Sequence, residues 1–386
     1  MIIDPRRIAV AFAGACAFLN LYTVQALLPF MARDFGIGAA EASIILAAGT
    51  AAVALTAPFA GAMSDFVGRK RMIVSAMALL LVPTLLAAMA GGPSELVLWR
   101  FVQGLLLPPI FTVTVAYIGD EWPPGEATAV VGLYTACSAF GGFLGRLVPG
   151  MLADAYGWRG GFVAVAAINL VCLVVVAALL THETRFVKAS NLLASLRQMV
   201  GHLRNPTLVA TYAVGFGVAF CFMATFTYVS FHLAAPPYSR SAFFLGSMFV
   251  VYLVGAGLAP WVGRFIHRLG RRVFVLFALG IWALGQCLTL LPPVPVIIIG
   301  LALFSACGIL VQATSTGFVA ISAPVGTSAA IGLYVAFFYL GGTIGGWLPG
   351  YAYEAGGWSA VIAVVLTMLA VMATIVLTFW REPKAR

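Results

Sequence analysis

Charge is what this chain has least of. It carries 12 Asp and Glu and 21 Lys and Arg among 386 residues, 9% of the total, against 62% hydrophobic residues. A soluble globule of this length devotes about a quarter of its residues to charge, so water cannot be the solvent for most of this surface. Lipid must be. Short segments of alternating apolar and polar residues are also missing, which argues against an outer-membrane β-barrel. The six cysteines (Cys16, Cys137, Cys172, Cys221, Cys287 and Cys307) include no C-x-x-C pair and all fall inside apolar runs. They imply neither a disulfide framework nor a metal site. His182-Glu183 begins like a zinc-protease motif, but position 186 is Phe, so H-E-x-x-H fails. G-x-S-x-G and H-x-x-x-H are absent too, which weighs against an intramembrane enzyme. No cofactor is implied.

What the chain has is apolar length. A bilayer-crossing helix needs about 20 apolar residues, and such runs lie near 8–32, 42–63, 72–90, 96–118, 128–150, 159–181, 207–233, 240–262, 272–291, 295–317, 329–350 and 358–380. The expectation is an all-α membrane protein of twelve spans. The first run is longer than a signal-peptide core and opens a polytopic chain, so it reads as a retained helix. With the N-terminus inside, 16 of the 21 Lys and Arg fall in cytoplasmic segments. The net charge of +9 therefore encodes orientation, with both termini cytoplasmic, rather than affinity for nucleic acid.

The unit is written twice. Residues 132–158 and 332–358 align without a gap and match at 12 of 27 positions, including Gly141-Gly142, Pro149-Gly150 and Gly157-Trp158 against Gly341-Gly342, Pro349-Gly350 and Gly357-Trp358. Pro58, Gly61, Gly68 and Arg69 likewise meet Pro260, Gly263, Gly270 and Arg271. Six spans per copy give both halves one orientation, a parallel repeat about the membrane normal. The expected domains are a bundle over 1–181, a linker over 182–206 and a second bundle over 207–386. Leu192, Leu193, Leu196, Met199, Val200 and Leu203 recur in the linker at helical spacing, the pattern of an amphipathic helix on the inner leaflet.

Three motifs concentrate the chemistry. "GAMSDFVGRKRM" at 61–72 holds Gly61, Asp65, Gly68, Arg69 and Lys70 in the pattern G-x-x-x-D-x-x-G-R-K. The bases there also fit plain boundary charge; Asp65, an acid beside three bases, does not. "LWRFVQG" sets Arg100 three residues before Gln103, on one helix face. An arginine mid-bilayer costs about 2.5–3.5 kcal/mol on insertion scales, so it should face a cavity or a partner, or else snorkel to the headgroups. The matching place in the second half is Phe304. "GLYTACSAFGGFLGRLVPG" at 132–150 carries packing glycines plus Arg146, whose counterpart is Gly346.

With these motifs the whole chain resembles the major facilitator superfamily, in the branch of bacterial drug and sugar efflux permeases. The resemblance implies two pseudo-symmetric six-helix bundles, a cell inner membrane location, a monomer, and alternating access. It implies proton-coupled efflux of small amphipathic or sugar-like organic compounds, or alternatively a proton-coupled or facilitative importer of a small metabolite. By the same resemblance, the substrate and proton path would run past Asn20, Tyr22, Gln25, Arg100, Gln103 and Arg146 in the first half, and Tyr212, Phe216 and Gln312 in the second. No acid falls at mid-span, and Asp34 and Glu41 are the nearest to proton carriers. A conformational gate would comprise the Asp65 corner and an ionic latch. The loop with Asp120, Glu121 and Glu126 would face the loop with Arg264, Arg268, Arg271 and Arg272, as the family's architecture suggests.

Overall fold

In lipid, every backbone N–H and C=O must be satisfied within the protein. The described residues do so as helices, with no strand among them. The computed structural model describes residues 4–184, 199–323 and 326–380. The first stretch forms α1 (Pro5–Tyr22), α2 (Leu28–Phe35), α3 (Ala39–Val67), α4 (Arg69–Met89), α5 (Pro93–Glu121) and α6 (Pro124–Leu179). Then follow α7 (Pro206–Ala234), α8 (Ala242–Ser247), α9 (Tyr252–Leu258), α10 (Val262–Leu269), α11 (Arg271–Leu288), α12 (Val294–Ser322), α13 (Thr327–Trp347) and α14 (Pro349–Phe379).

Ten helical stretches among the described residues are long and apolar enough to cross a membrane. Two features reconcile that number with twelve spans. α6 turns sharply at Gly157 (φ 69°, ψ 173°) and makes two crossings. The first crossing, too interrupted to qualify, is α1 and α2 in succession. Its break at residues 23–27 corrects the continuous helix expected over 8–32. Pro29, which sits in the first turn of α2, explains the break. Its ring would meet the Gln25 carbonyl in an unbroken helix, and it has no N–H to donate. The run expected over 240–262 is likewise divided, into α8, α9 and α10 with short 3-10 turns between them.

The chain divides into two compact units. One gathers the described residues through 184 with Leu233–Phe249; the other gathers those from 199 to His232 and from Val250 onward. The amphipathic helix expected in the linker falls largely on residues 185–198, which lie outside the described residues.

Each unit carries one copy of the repeat, and the repeated glycines explain how it packs. A Cβ on Gly141 or Gly145 would collide with the backbone of Ala15 or Leu19 in α1. On Gly341 or Gly345 it would collide with the backbone of Phe216 or Phe220 in α7. Without side chains at these points, two helices approach to backbone contact, the packing that substitutes for a hydrophobic driving force in lipid. The tight corners repeat as well. Gly68 (φ 97°, ψ 144°) and Gly270 (φ 76°, ψ 149°) each end one helix and begin the next, at a φ that favours glycine.

Candidate functional site

A helix that stops inside a membrane exposes its last carbonyls, and α1 stops at Tyr22. Each of the four carbonyls there finds a donor. Leu19 O accepts from the hydroxyl of Thr23, the residue just past the helix (2.8 Å), and Tyr22 O accepts from the Gln25 N–H (3.1 Å). Asn20 O and Leu21 O accept from Arg100, at 3.0 Å from Nη1 and 2.7 Å from Nη2. Arg100 Nη1 also donates to Gln103 Oε1 (2.7 Å), one turn along α5. Gly49 on α3 makes room, since a Cβ there would lie 3.1 Å from Arg100 Nη2. Arg100 as a whole is 1% exposed. Arg100 neither snorkels to the surface nor pairs with an acid; it clamps the broken first span.

The polar chain continues from there. Gln103 Nε2 donates to Thr84 Oγ1 on α4 (2.8 Å), and Asn20 exchanges amide hydrogen bonds with Asn169 on α6 (2.6 and 2.9 Å). The Cys16 thiol donates to Asn169 Oδ1 (3.2 Å). All of these residues are buried. The network ties α1, α4, α5 and the second arm of α6 into one body, because a satisfied buried network fixes the register of the helices that share it.

A second arginine reaches the same break. Arg146, 4% exposed on the first arm of α6, donates from Nε to Gln25 Oε1 (2.9 Å) and from Nη1 to Gly142 O (2.8 Å). Its guanidinium carbon lies 3.9 Å from the Tyr22 ring and 4.3 Å from the Phe249 ring, a cation held between two aromatic faces. Six of the nine expected path residues therefore meet around residues 20–25, in two clusters. Asn20, Arg100 and Gln103 form one; Tyr22, Gln25 and Arg146 form the other.

The second unit does not copy this arrangement. Where Arg100 stands, it has Phe304, packed among Phe222, Phe226 and Trp282. Its α7, the counterpart of the broken span, runs unbroken from Pro206 to Ala234. Tyr212 stacks on Phe337 and Phe216 on Phe220, while Gln312 is half-buried on α12. Arginine and helix break thus occur together in one copy of the repeat and are absent together from the other.

The Asp65 corner is a second charged centre. Arg69 Nη1 lies 2.8 Å from Asp65 Oδ1, Arg69 Nε lies 3.1 Å from Asp120 Oδ2, and the guanidinium also meets the Ser64 hydroxyl. Burial pushes the Asp65 carboxyl above its ordinary value, against the pull of Arg69, and the nearby Asp120 adds to the rise. α4 begins at Arg69 with no cap from its own sequence. Glu183 supplies one from 114 residues away, accepting the N–H of Arg69 (3.0 Å) and of Lys70 (3.3 Å). Its charge also suits a helix N-terminus. The strap that carries Glu183 is pinned on both sides, by Tyr117 Oη to Thr181 O (3.1 Å) and by Thr184 N–H to Glu121 Oε1 (2.7 Å).

The acidic loop finds bases within its own unit, since Asp120 holds Arg69 and Glu126 holds Arg7 (2.9 Å). Arg264 and Arg268 are exposed, Arg271 lies 4.6 Å from the Phe318 ring, and Arg272 donates to Leu377 O. At the far end of the first unit, Asp34 accepts from Trp158 Nε1 (2.9 Å) and Arg159 Nη1 (3.2 Å), which hold its carboxyl below the ordinary value. Sequence reasoning missed Thr84, Asn169 and Glu183. The first two had a signal, lone polar residues within apolar runs.

A helical membrane body built twice, with its cations clamped at a break in one span, defines a polytopic transporter. The chain belongs to the Major Facilitator Superfamily, whose family profile matches residues 10–265 and again 230–386. It is 30% identical to the inner membrane transport protein YnfM of Escherichia coli, over 94% of this chain and 88% of that one. It is 24% identical to the multidrug efflux protein YfmO of Bacillus subtilis, over 90% and 86%. Among solved structures it is similar to an inward-facing, unoccupied bacterial homologue of the human lysosomal transporter Spinster, with a TM-score of 0.80 and 15% identity over the full length of both chains.

Proposed function

We propose that this transporter exports small amphipathic or sugar-like organic compounds by alternating access, in exchange for protons. The observation that carries the reading is Arg100, a cation within a span whose hydrogen-bond partners are all uncharged. Such a group is costly in a membrane and marks an ion or substrate path by default. The likeness to a multidrug efflux protein supports the outward direction. On this reading the substrate path runs past the break at residues 20–25, with Arg100 and Arg146 setting the shape of that break. The Asp65–Arg69–Asp120 corner is the conformational gate, on the cytoplasmic side with both termini. The working unit is a monomer in the inner membrane, and it catalyses no covalent chemistry.

Substrate screening in an overexpressing strain, by growth inhibition, supplies candidates. The test uses the purified transporter in liposomes loaded with a pH dye. Addition of an exported compound should move protons the opposite way. Equilibration of the compound with no proton movement would replace this reading with a facilitator.

A further inference from the structure

The two copies of the repeat treat one tryptophan differently. In the first unit Trp158 follows Gly157, donates from Nε1 to Asp34, and carries the Arg159 guanidinium 4.1 Å from its ring centre. In the second unit Trp358 follows Gly357 (φ 64°) at the same place in the repeat and donates from Nε1 to Thr289 O (3.0 Å). Its partner across the ring is His232, in the last turn of α7, with centroids 5.7 Å apart and planes 15° from parallel. A permanent cation in one copy is matched by a titratable ring in the other.

We propose that the His232–Trp358 pair is a proton-binding site. Protonation of the imidazole turns a neutral ring stack into a cation–π contact of the kind Arg159 makes permanently with Trp158. The charged form fastens the end of α7 to the start of the last crossing more tightly than the neutral stack does. No bond to carbon forms or breaks: hydronium gives its proton to an imidazole nitrogen and leaves as water, and the reverse step releases it. Other titratable side chains lie within a few residues of this corner along the chain. On α7 there is Tyr228, and on α14 there are Tyr353, stacked on Tyr228 at 5.7 Å, and the exposed Glu354. On α11 there is the exposed Cys287. Among these side-chain types, only imidazole ordinarily changes charge between about pH 5 and 8. This site would give proton exchange a group to bind the proton, since the spans hold no acid at mid-depth. Its place in the transport cycle rests on the proton-coupled reading, while its titration does not.

The experiment is a fluorescence titration of the full-length protein in lipid nanodiscs between pH 5 and 8. A protonated imidazole in ring contact quenches indole emission, so the wild type should lose Trp358 emission as the pH falls. The same transition should be absent from Trp358→Phe and from His232→Gln. Because the contact is removed from either partner, a folding failure in one variant leaves the other to decide. A wild-type transition that persists in His232→Gln or in Trp358→Phe overturns the site, as does a wild type with no transition. Failure of proton-coupled transport in liposomes would overturn the exchange reading while leaving this titration as it stands, so the two failures are distinguishable.

Discussion

Replacing Arg100 separates its charge from its geometry. In the wild type, three charge-assisted hydrogen bonds go to Asn20 O, Leu21 O and Gln103 Oε1. At about 1.5–3 kcal/mol each, they offset an insertion cost of about 2.5–3.5 kcal/mol. Arg100→Met removes that cost but leaves three buried acceptors short of a donor, at about 1–3 kcal/mol each. The net loss is centred near 3 kcal/mol, enough to lower the melting temperature without abolishing the fold. Arg100→Lys keeps the charge and its cost, yet an ammonium is a point donor and cannot reproduce the planar fork that spans two successive carbonyls. Both variants should therefore loosen residues 20–28. The assay is hydrogen exchange of those amides in nanodiscs, read by mass spectrometry. Faster exchange is expected in both variants, with peptides of α7 unchanged. Wild-type protection in Arg100→Lys would mean that charge alone matters; wild-type protection in Arg100→Met would mean that the break needs no clamp.

Three further outcomes are expected. Asp65→Asn keeps the shape of the corner but weakens its 2.8 Å contact with Arg69; it should abolish transport at normal expression, and wild-type transport would reduce Asp65 to boundary charge. Glu183→Ala strips α4 of its cap, at a cost of about 0.5–2 kcal/mol, whereas Glu183→Gln retains an acceptor and should lose less; equal melting temperatures for the two would refute capping. The Asp34 carboxyl is held below its ordinary value chiefly by the Trp158 indole N–H, with Arg159 adding to it. Its contribution to stability is thus present above the unfolded value near 3.8 and lost as pH falls through the lower folded one. Trp158→Phe should move the onset of acid unfolding to higher pH, followed by circular dichroism, and an unmoved onset would count against the tie.

The repeat was legible because its cause is steric and local. Gly141, Gly145, Gly341 and Gly345 must be glycine wherever two backbones touch, so the pattern survives in both copies. Arg100 and Gln103 were legible as residues on one helix face, and the structure brings them together. Their acceptors were not. The carbonyls of Asn20 and Leu21 become available only because α1 stops, and Pro29, the sign of that stop, looks no different from Pro58, Pro83 or Pro149, each of which stays inside a continuous helix. Glu183 escaped notice because its partners are backbone N–H groups 114 residues away, and backbone donors leave no mark in a sequence. Asp34 and Glu41 drew attention as acids bordering the first two spans. Asp34 ties helix ends together through Trp158 and Arg159.

Proton exchange is the central claim, and one measurement tests it most directly. Liposomes containing the purified transporter, preloaded with an exported compound and a pH dye, are diluted into buffer free of the compound under a voltage clamp. The account predicts that the lumen acidifies as the compound leaves, and that Asp65→Asn abolishes both movements together. Efflux of the compound with a steady lumenal pH would contradict it.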